Sequence, residues 1–301
     1  MTPPRDLGEG AAFDLSARAK LRISGPDRFR YLNGQISNDL GKATNDATLH
    51  ACVLTAKGKI NANVFIVADT ESFLVDTDRE MREGLPARLE RYIIADDVQI
   101  EDVSDRYALL HVLGASGADL VERCRTVRAN RFGRAGVDVW IKQADREIVL
   151  QHWSAKVPLC NEEEAEIFRM EQGIPRWGHE LTEEIIPTEA NLEAAAIDYA
   201  KGCYIGQEVI SRIRMSGQTN KRLCGLASPS GIQLAQGMRL LFDRKDVGWI
   251  TSAAYSPRLG KQIALGFVKR GFQAPGTRLD LLTGDANRRD EGAEIVPLPF
   301  S

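Results

Sequence analysis

The chain has 301 residues, 43% of them hydrophobic, enough to bury a sizeable core and to hold two or three domains. Its 39 basic residues stand against 42 acidic ones, a formal charge of −3, so no global basic field exists to hold a nucleic-acid backbone and any such binding must rest on a local patch. The opening MTPPRDLGEG has no apolar stretch and no later segment offers 18 uninterrupted apolar residues, which predicts a cytoplasmic protein without a membrane partner.

Phe13 to Ile23 reads as strand, and Gly25-Pro26 then opens a helix. Leu32, Ile36 and Leu40 share one face of that helix, leaving Asn33, Gln35, Asn38 and Asp39 elsewhere. Strands follow at Leu49 to Thr55, Ile60 to Val67 and Phe73 to Val75, with a turn at Lys57-Gly58. Thr77 to Glu80 has the form of a capping box opening a helix towards Tyr92. Strands at Val98 to Val103 and Tyr107 to Leu113 and a helix at about Gly117 to Arg125 complete an α+β unit at about 48–130, for which the order suggests a ferredoxin-like arrangement. Further strands are expected at Trp140-Ile141 and Ile148 to Trp153.

Asn161 to Glu164 then signals a helix start, its acidic residues favoured by the helix dipole. This helix is expected to end near Gln172, at Gly173, with Pro175 beyond it. From Leu223 the texture becomes short apolar runs punctuated by glycine, at 223–226, 238–242, 247–255, 262–268 and 277–282, which predicts a small closed β-barrel over 223–301 after a region spanning 1–222. The stretch from Asp285 reads as a polar end.

The five cysteines, Cys52, Cys124, Cys160, Cys203 and Cys224, are odd in number and widely spaced, which argues against a disulfide framework, a zinc knuckle or a cluster held by this chain alone. The four histidines show no metal-binding spacing. No metal site is expected.

The densest chemistry lies in Lys201-Gly202-Cys203-Tyr204-Ile205-Gly206-Gln207-Glu208, where a cation, a thiol, a phenol, an amide and a carboxylate surround two glycines. Val209, Ile210 and Ile213 continue at helical spacing, so the loop feeds a helix. A thiolate is the reactive form of cysteine, and a neighbouring ammonium or helix N-terminus favours it; the bland alternative for Cys203 is a small buried hydrophobe.

KGCYIGQE resembles the signature of the YgfZ family, folate-binding proteins related to the aminomethyltransferase (T-protein) of glycine cleavage. The segment Tyr31 to Leu40 with its Asn38-Asp39 pair, and the segments Gly248 to Ser252 and Ile263 to Val268, extend that resemblance over nearly the whole chain. It implies an aminomethyltransferase-like folate-binding fold followed by the barrel, with tetrahydrofolate or another reduced folate as cofactor. In T-proteins a glutamate at the similar helix end holds the pterin ring; here that position is Glu171, and Trp177 could stack on the heterocycle. The remaining candidates for cofactor contact are Tyr204, Gln207, Glu208, Asn38 and Asp39, with Cys203 as the reactive thiol and Lys201 tuning it.

The T-protein-like acidic pair after the glycine turn is missing. Asn61 and Asn63 occupy that stretch, and an amide neither ionises nor stabilises positive charge as a carboxylate does. The resemblance therefore implies an accessory protein supporting iron–sulfur cluster assembly or repair, and through cluster enzymes some tRNA modifications, with assembly proteins or client enzymes as partners. The alternative is a folate-dependent one-carbon transferase in which Asp39 or Glu208 replaces the missing pair. Direct RNA binding would have to use Arg212, Arg214, Lys221 and Arg222.

Overall fold

A computed structural model describes residues 7, 10–114, 124–153, 157–282 and 289–301. The chain forms two compact units, each assembled from separate stretches: Leu7–Asn161 with Leu192–Arg212, and Glu162–Asn191 with Ile213–Ser301.

In the first unit, β2 (Ala19–Ser24), β3 (Leu49–Leu54), β4 (Ile60–Ala68), β5 (Ser72–Thr77) and β6 (Gln99–Asp102) form an antiparallel sheet in the order β3-β4-β5-β2-β6. A second antiparallel sheet, β1-β7-β9-β8, contains β1 (Ala12–Asp14), β7 (Tyr107–Leu113), β8 (Cys124–Ala129) and β9 (Gly136–Lys142). The α+β unit read over 48–130 is thus shared between two sheets, because β6 pairs with β2 while β7 pairs with β1 and β9. Most of the helix expected at about Gly117 to Arg125 lies outside the described residues, and its end is the start of β8.

Period-two alternation builds the layers. Val64, Ile66, Phe73 and Val75 face α1 (Arg28–Gln35) and α2 (Gly84–Glu90), packing with Tyr31, Leu32, Leu85 and Leu89. Their neighbours Val67 and Leu74 turn the other way and meet Leu109, Val127 and Trp140 of the second sheet. Ala108, Leu110, Val112, Val139 and Ile141 cover that sheet's outer face together with Val149 of α3 (Arg146–Trp153). The run Ile148 to Trp153, expected as a strand, is therefore helix: a short apolar run does not distinguish the two, and here Val149 needs to reach only one face.

A buried ion network joins the two sheets. Arg131 donates to both oxygens of Asp138 (2.8 and 2.7 Å) and both of Asp76 (3.0 and 2.7 Å), and its guanidinium lies 4.2 Å from the Phe65 ring centroid. Asp138 also receives His111 Nδ1 at 2.8 Å, and these partners hold its carboxyl near 2 against the opposing effect of burial.

The second unit contains α4 (Glu162–Glu171) and a closed barrel, β10-β13-β12-β11-β14-β15. Its strands are β10 (Lys221–Ala227), β11 (Arg239–Phe242), β12 (Lys245–Ser256), β13 (Lys261–Lys269), β14 (Arg278–Leu282) and β15 (Arg289–Val296). The polar end expected from Asp285 is corrected here: β15 pairs with both β14 and β10 and closes the barrel. Ala293 and Ile295 of this strand face the core with Leu226, Leu240, Ile250 and Leu281, and charged residues stand between and before them, which is why its pattern reads as polar. The change of texture read at residue 223 falls inside β10. Among the described residues no helix is long and apolar enough to cross a membrane.

Candidate functional site

The KGCYIGQE loop lies in the first unit and leads into α6 (Gln207–Ser216), as its sequence pattern predicts. It is held at both ends. At its start, Lys201 Nζ donates to the carbonyls of Asn33 (2.6 Å) and Ile36 (2.7 Å), at the C-terminal end of α1, where the helix dipole favours a cation. The same ammonium sits 5.0 Å from the Tyr204 ring centroid, and the Ile205 amide donates to Gly34 O at 3.3 Å. Burial brings the Lys201 pKa down to about 8 against the attraction of Asp39 and Asp198.

At the other end, Gly206 has φ +88°, and a Cβ there would stand 2.6 Å from Thr55 O. Gly58, in the β3–β4 turn, has φ +71°, and a Cβ would meet the Val209 side chain at 2.9 Å. Only glycine permits both backbone conformations and this approach. The loop therefore rests on the turn preceding Asn61 and Asn63.

Between the two anchors, Gly202 and Cys203 are exposed. Of the five cysteines, Cys203 alone is exposed. Burial pushes the Cys52 thiol up to about 12 and that of Cys224 up to about 11, which makes both poor nucleophiles at neutral pH. Tyr204 is buried, and that raises its phenol to about 12. Gln207 is half-buried at the first position of α6; Glu208 is exposed and pairs with Arg212 at 2.7 Å.

The other polar candidates of this unit are engaged internally. Asn38 donates to His50 O (2.9 Å) and Ala195 O (3.3 Å) and accepts from the Asp39 amide (2.9 Å). Asp39 caps the turn that follows α1 by accepting from Gly41 N at 3.0 Å. Asn63 Oδ1 lies 2.6 Å from His50 Nε2, which therefore carries the proton. The His50 ring stacks on Phe65 at 4.4 Å and burial drives its pKa down to about 4, so the position next to Asn63 is neutral. Arg88, which the sequence reading did not single out, ties the same region together by donating to Gln35 Oε1 and Leu54 O, both at 3.1 Å.

Glu171 and Trp177 lie in the second unit. Glu171 ends α4 and is buried; its Oε1 accepts from Ser256 Oγ (2.5 Å) and its Oε2 from Arg258 Nε (2.7 Å). The Phe300 amide donates to the Glu171 carbonyl at 2.8 Å, and Arg258 reaches Phe300 O at 3.3 Å. Arg258 was missed because nothing in the spacing of Ser256-Pro257-Arg258 links it to a helix end 87 residues away. Trp177 is half-buried in the loop after α4. Beside it, the register shift in β12 between Ile250 and Ser252 turns consecutive residues to one carboxylate: Thr251 Oγ1 and Ser252 Oγ donate to Glu180 Oε1 at 2.7 and 2.6 Å.

Three members of the basic cluster are engaged within their own units. Arg212 pairs with Glu208, Lys221 approaches Glu189 at 3.7 Å, and Arg222 donates to Asn191 at 2.5 Å. Among the described residues no group of three or more histidine, cysteine or acidic side chains could hold a metal ion.

The residues fit a reduced folate at the level of chemistry. Glu171 supplies a carboxylate able to accept two parallel N–H donors, one of its present partners is solvent-facing, and Trp177 offers a partly exposed ring.

Two family models match the chain: "GCVT N-terminal domain" over residues 8–138 and "Glycine cleavage T-protein C-terminal barrel domain" over 221–301. Similar curated proteins include an aminomethyltransferase of Shouchella clausii (24% identical, covering 96% of this chain and 85% of the relative) and one of Thermus thermophilus (25%, 96% and 86%). An "Iron-sulfur cluster assembly factor IBA57 homolog, mitochondrial" of Dictyostelium discoideum is 24% identical, covering 69% of this chain and 60% of the relative. The crystal structure of glycine cleavage system aminomethyltransferase T from Bartonella henselae superposes with a TM-score of 0.83 at 16% identity, covering 98% of this chain and 87% of that one, and so shares its fold. Folate binding is consistent with these matches. With the N-terminal domain and the C-terminal barrel matched in the same order, the chain belongs to the family of proteins built like the glycine cleavage T-protein.

Proposed function

We propose that this protein is a tetrahydrofolate-binding accessory factor of the YgfZ type that supports iron–sulfur cluster assembly or repair in the cytoplasm, and through cluster enzymes tRNA modification. The observation that carries the reading is the exposed Cys203, presented between two anchored ends of a loop that rests on the turn before Asn61 and Asn63. The likeness to an iron–sulfur cluster assembly factor supports the same reading.

The chemistry follows from the residues. A single thiolate can ligate iron or exchange with another sulfur, but it cannot hold a cluster alone, so the remaining ligands would come from an assembly protein or client enzyme. Lys201 fixes where the thiol stands, since its ammonium is engaged by α1 carbonyls. Glu171 would hold the pterin edge and Trp177 would stack on the ring. The folate, when bound, supplies a carrier of one-carbon units.

The named aminomethyltransferases support a second reading, one-carbon transfer. It needs a carboxylate in place of the missing pair. Asp39 is used as a cap and Glu208 as the partner of Arg212, and His50 beside Asn63 is neutral, so the residues favour the accessory role.

The experiment is replacement of the chromosomal gene by Cys203→Ala, with cluster-enzyme activity measured in cells and tetrahydrofolate affinity measured on the purified variant. Lost cluster-enzyme activity with unchanged affinity is expected. Full cluster-enzyme activity, or turnover of an aminomethyl donor by the purified protein, would overturn the accessory reading.

A further inference from the structure

We propose that Arg258 controls access to Glu171: its guanidinium must leave the carboxylate before the donor edge of a pterin can take its place, so Arg258 sets the affinity of the folate site. This rests on the reading of Glu171 as the pterin acceptor.

The two partners of Glu171 are unlike. Ser256 is fully buried at the end of β12 and has no way out, and its Oγ also accepts from the Leu259 amide at 3.1 Å. Arg258 stands in the turn beyond the strand with 41% of its side chain exposed, against 5% for Glu171. Among the described residues its only other bond is the long one to Phe300 O, 3.3 Å. A pterin edge offers Glu171 two parallel N–H donors, one of which needs Oε2, where Arg258 Nε now stands, so ligand and arginine compete for that oxygen. Displacement favours Arg258 over Ser256, because a guanidinium moved into water is fully solvated while a serine hydroxyl left inside would lose its partner.

The pair also explains how a nearly buried carboxylate is tolerated without ligand. Unpaired, Glu171 would be a desolvated charge; with Arg258 and Ser256 it is satisfied. The cost of opening the pair is charged against every binding event. Because Arg258 is partly exposed, that cost is modest, and its removal is worth about five- to tenfold in affinity.

The test is calorimetric titration of tetrahydrofolate into the wild-type protein and the variants Arg258→Met, Glu171→Gln and the double variant, with thermal unfolding of each. Arg258→Met is expected to bind about five- to tenfold tighter than wild type, and the double variant to bind as weakly as Glu171→Gln alone. Wild-type binding that is unchanged or weakened in Arg258→Met would overturn the role of Arg258 and leave the folate reading standing. Absence of binding by every form would overturn both.

Should Arg258→Met not fold, two measurements take its place. Arg258→Lys keeps the charge but cannot hold Glu171 Oε2 and Phe300 O with two fixed donors, and should bind tighter than wild type by a smaller factor. In the unmodified protein, tetrahydrobiopterin, which has the same ring edge and no anionic tail, should bind more tightly as NaCl is raised severalfold, because salt stabilises the partly exposed Arg258 guanidinium once it is released and screens its pull on Glu171. An affinity that stays flat or falls in either measurement would overturn the proposal.

Discussion

A Cβ built on Gly206 would stand 3.2 Å from the Cα of Gly58, so the loop carrying Cys203 and the turn before Asn61 touch backbone to backbone. Gly206→Ala would place a methyl 2.6 Å from Thr55 O at φ +88° and is expected to destabilise the protein by about 2 kcal/mol or more. Urea unfolding measures the loss, and alkylation of Cys203 should change rate in the same variant because the loop is pushed off its support. A variant with wild-type stability and wild-type alkylation would show that the two turns are not in register.

Alkali should first strengthen the fold and then weaken it. The folded-state pKa values of Lys201 and Lys20 are lowered to about 8 by burial, so between pH 8 and their ordinary value of 10.5 the unfolded chain binds more protons and stability rises. From pH 9 upward the buried thiols Cys52 and Cys224, raised to about 12 and 11, cancel this gain, and beyond pH 10 the Tyr204 phenol, raised to about 12, turns it into a loss, since only the unfolded chain gives up those protons. Unfolding free energy is expected to increase from pH 8 to 9 and fall beyond about pH 10. Lys201→Met should flatten the first limb and leave the second.

The acid side has its own marker. His50 titrates at about 4 in the folded protein against 6.5 when exposed, so stability is lost as pH falls from 6.5 through 4, to a total of about 3 kcal/mol. His50→Gln keeps a donor for Asn63 without the titration, and its stability should be insensitive to pH in that window apart from the carboxylates. An unchanged slope would mean that His50 is solvated.

Arg131 is the sole cation bonded to both Asp76 and Asp138 among the described hydrogen bonds. Arg131→Met would leave Asp76 with Arg18 alone and Asp138 with His111 alone between the sheets, at a cost of about 3 kcal/mol measured by denaturant unfolding. A loss below about 1 kcal/mol would show that water reaches the network.

The sequence and the structure agree most where a single physical rule decides. Gly173 ends α4, short β-rich runs bounded by turns give β4, β5 and five barrel strands, and the glycines of KGCYIGQE mark a loop that feeds a helix. They differ where partners come from far along the chain. β15 reads as polar because charged residues surround the core-facing Ala293 and Ile295, α3 reads as strand because Ile148, Val149 and Leu150 are contiguous, and the strands of 48–130 pair with β1 and β2, which lie outside that window. At the site, residue types were legible but not their engagement: Lys201 meets α1 carbonyls, Glu208 meets Arg212, and Glu171 meets an arginine from the barrel.

The interleaved make-up of the two units bears on how the molecule can be cut and built. Because Glu162–Asn191 belongs with the barrel and Leu192–Arg212 returns to the sheets, no single scission yields two self-sufficient halves. A fragment ending at 212 carries an excursion whose core partners are left behind, and one ending at 161 lacks the thiol loop altogether. On a ribosome, the first unit cannot finish until Arg212 has emerged, by which time Glu162–Asn191 is already outside and waiting for strands not yet made. Synthesis thus exposes α4 and its glutamate before the barrel arrives to cover them, a window in which a chaperone or early ligand would find them open.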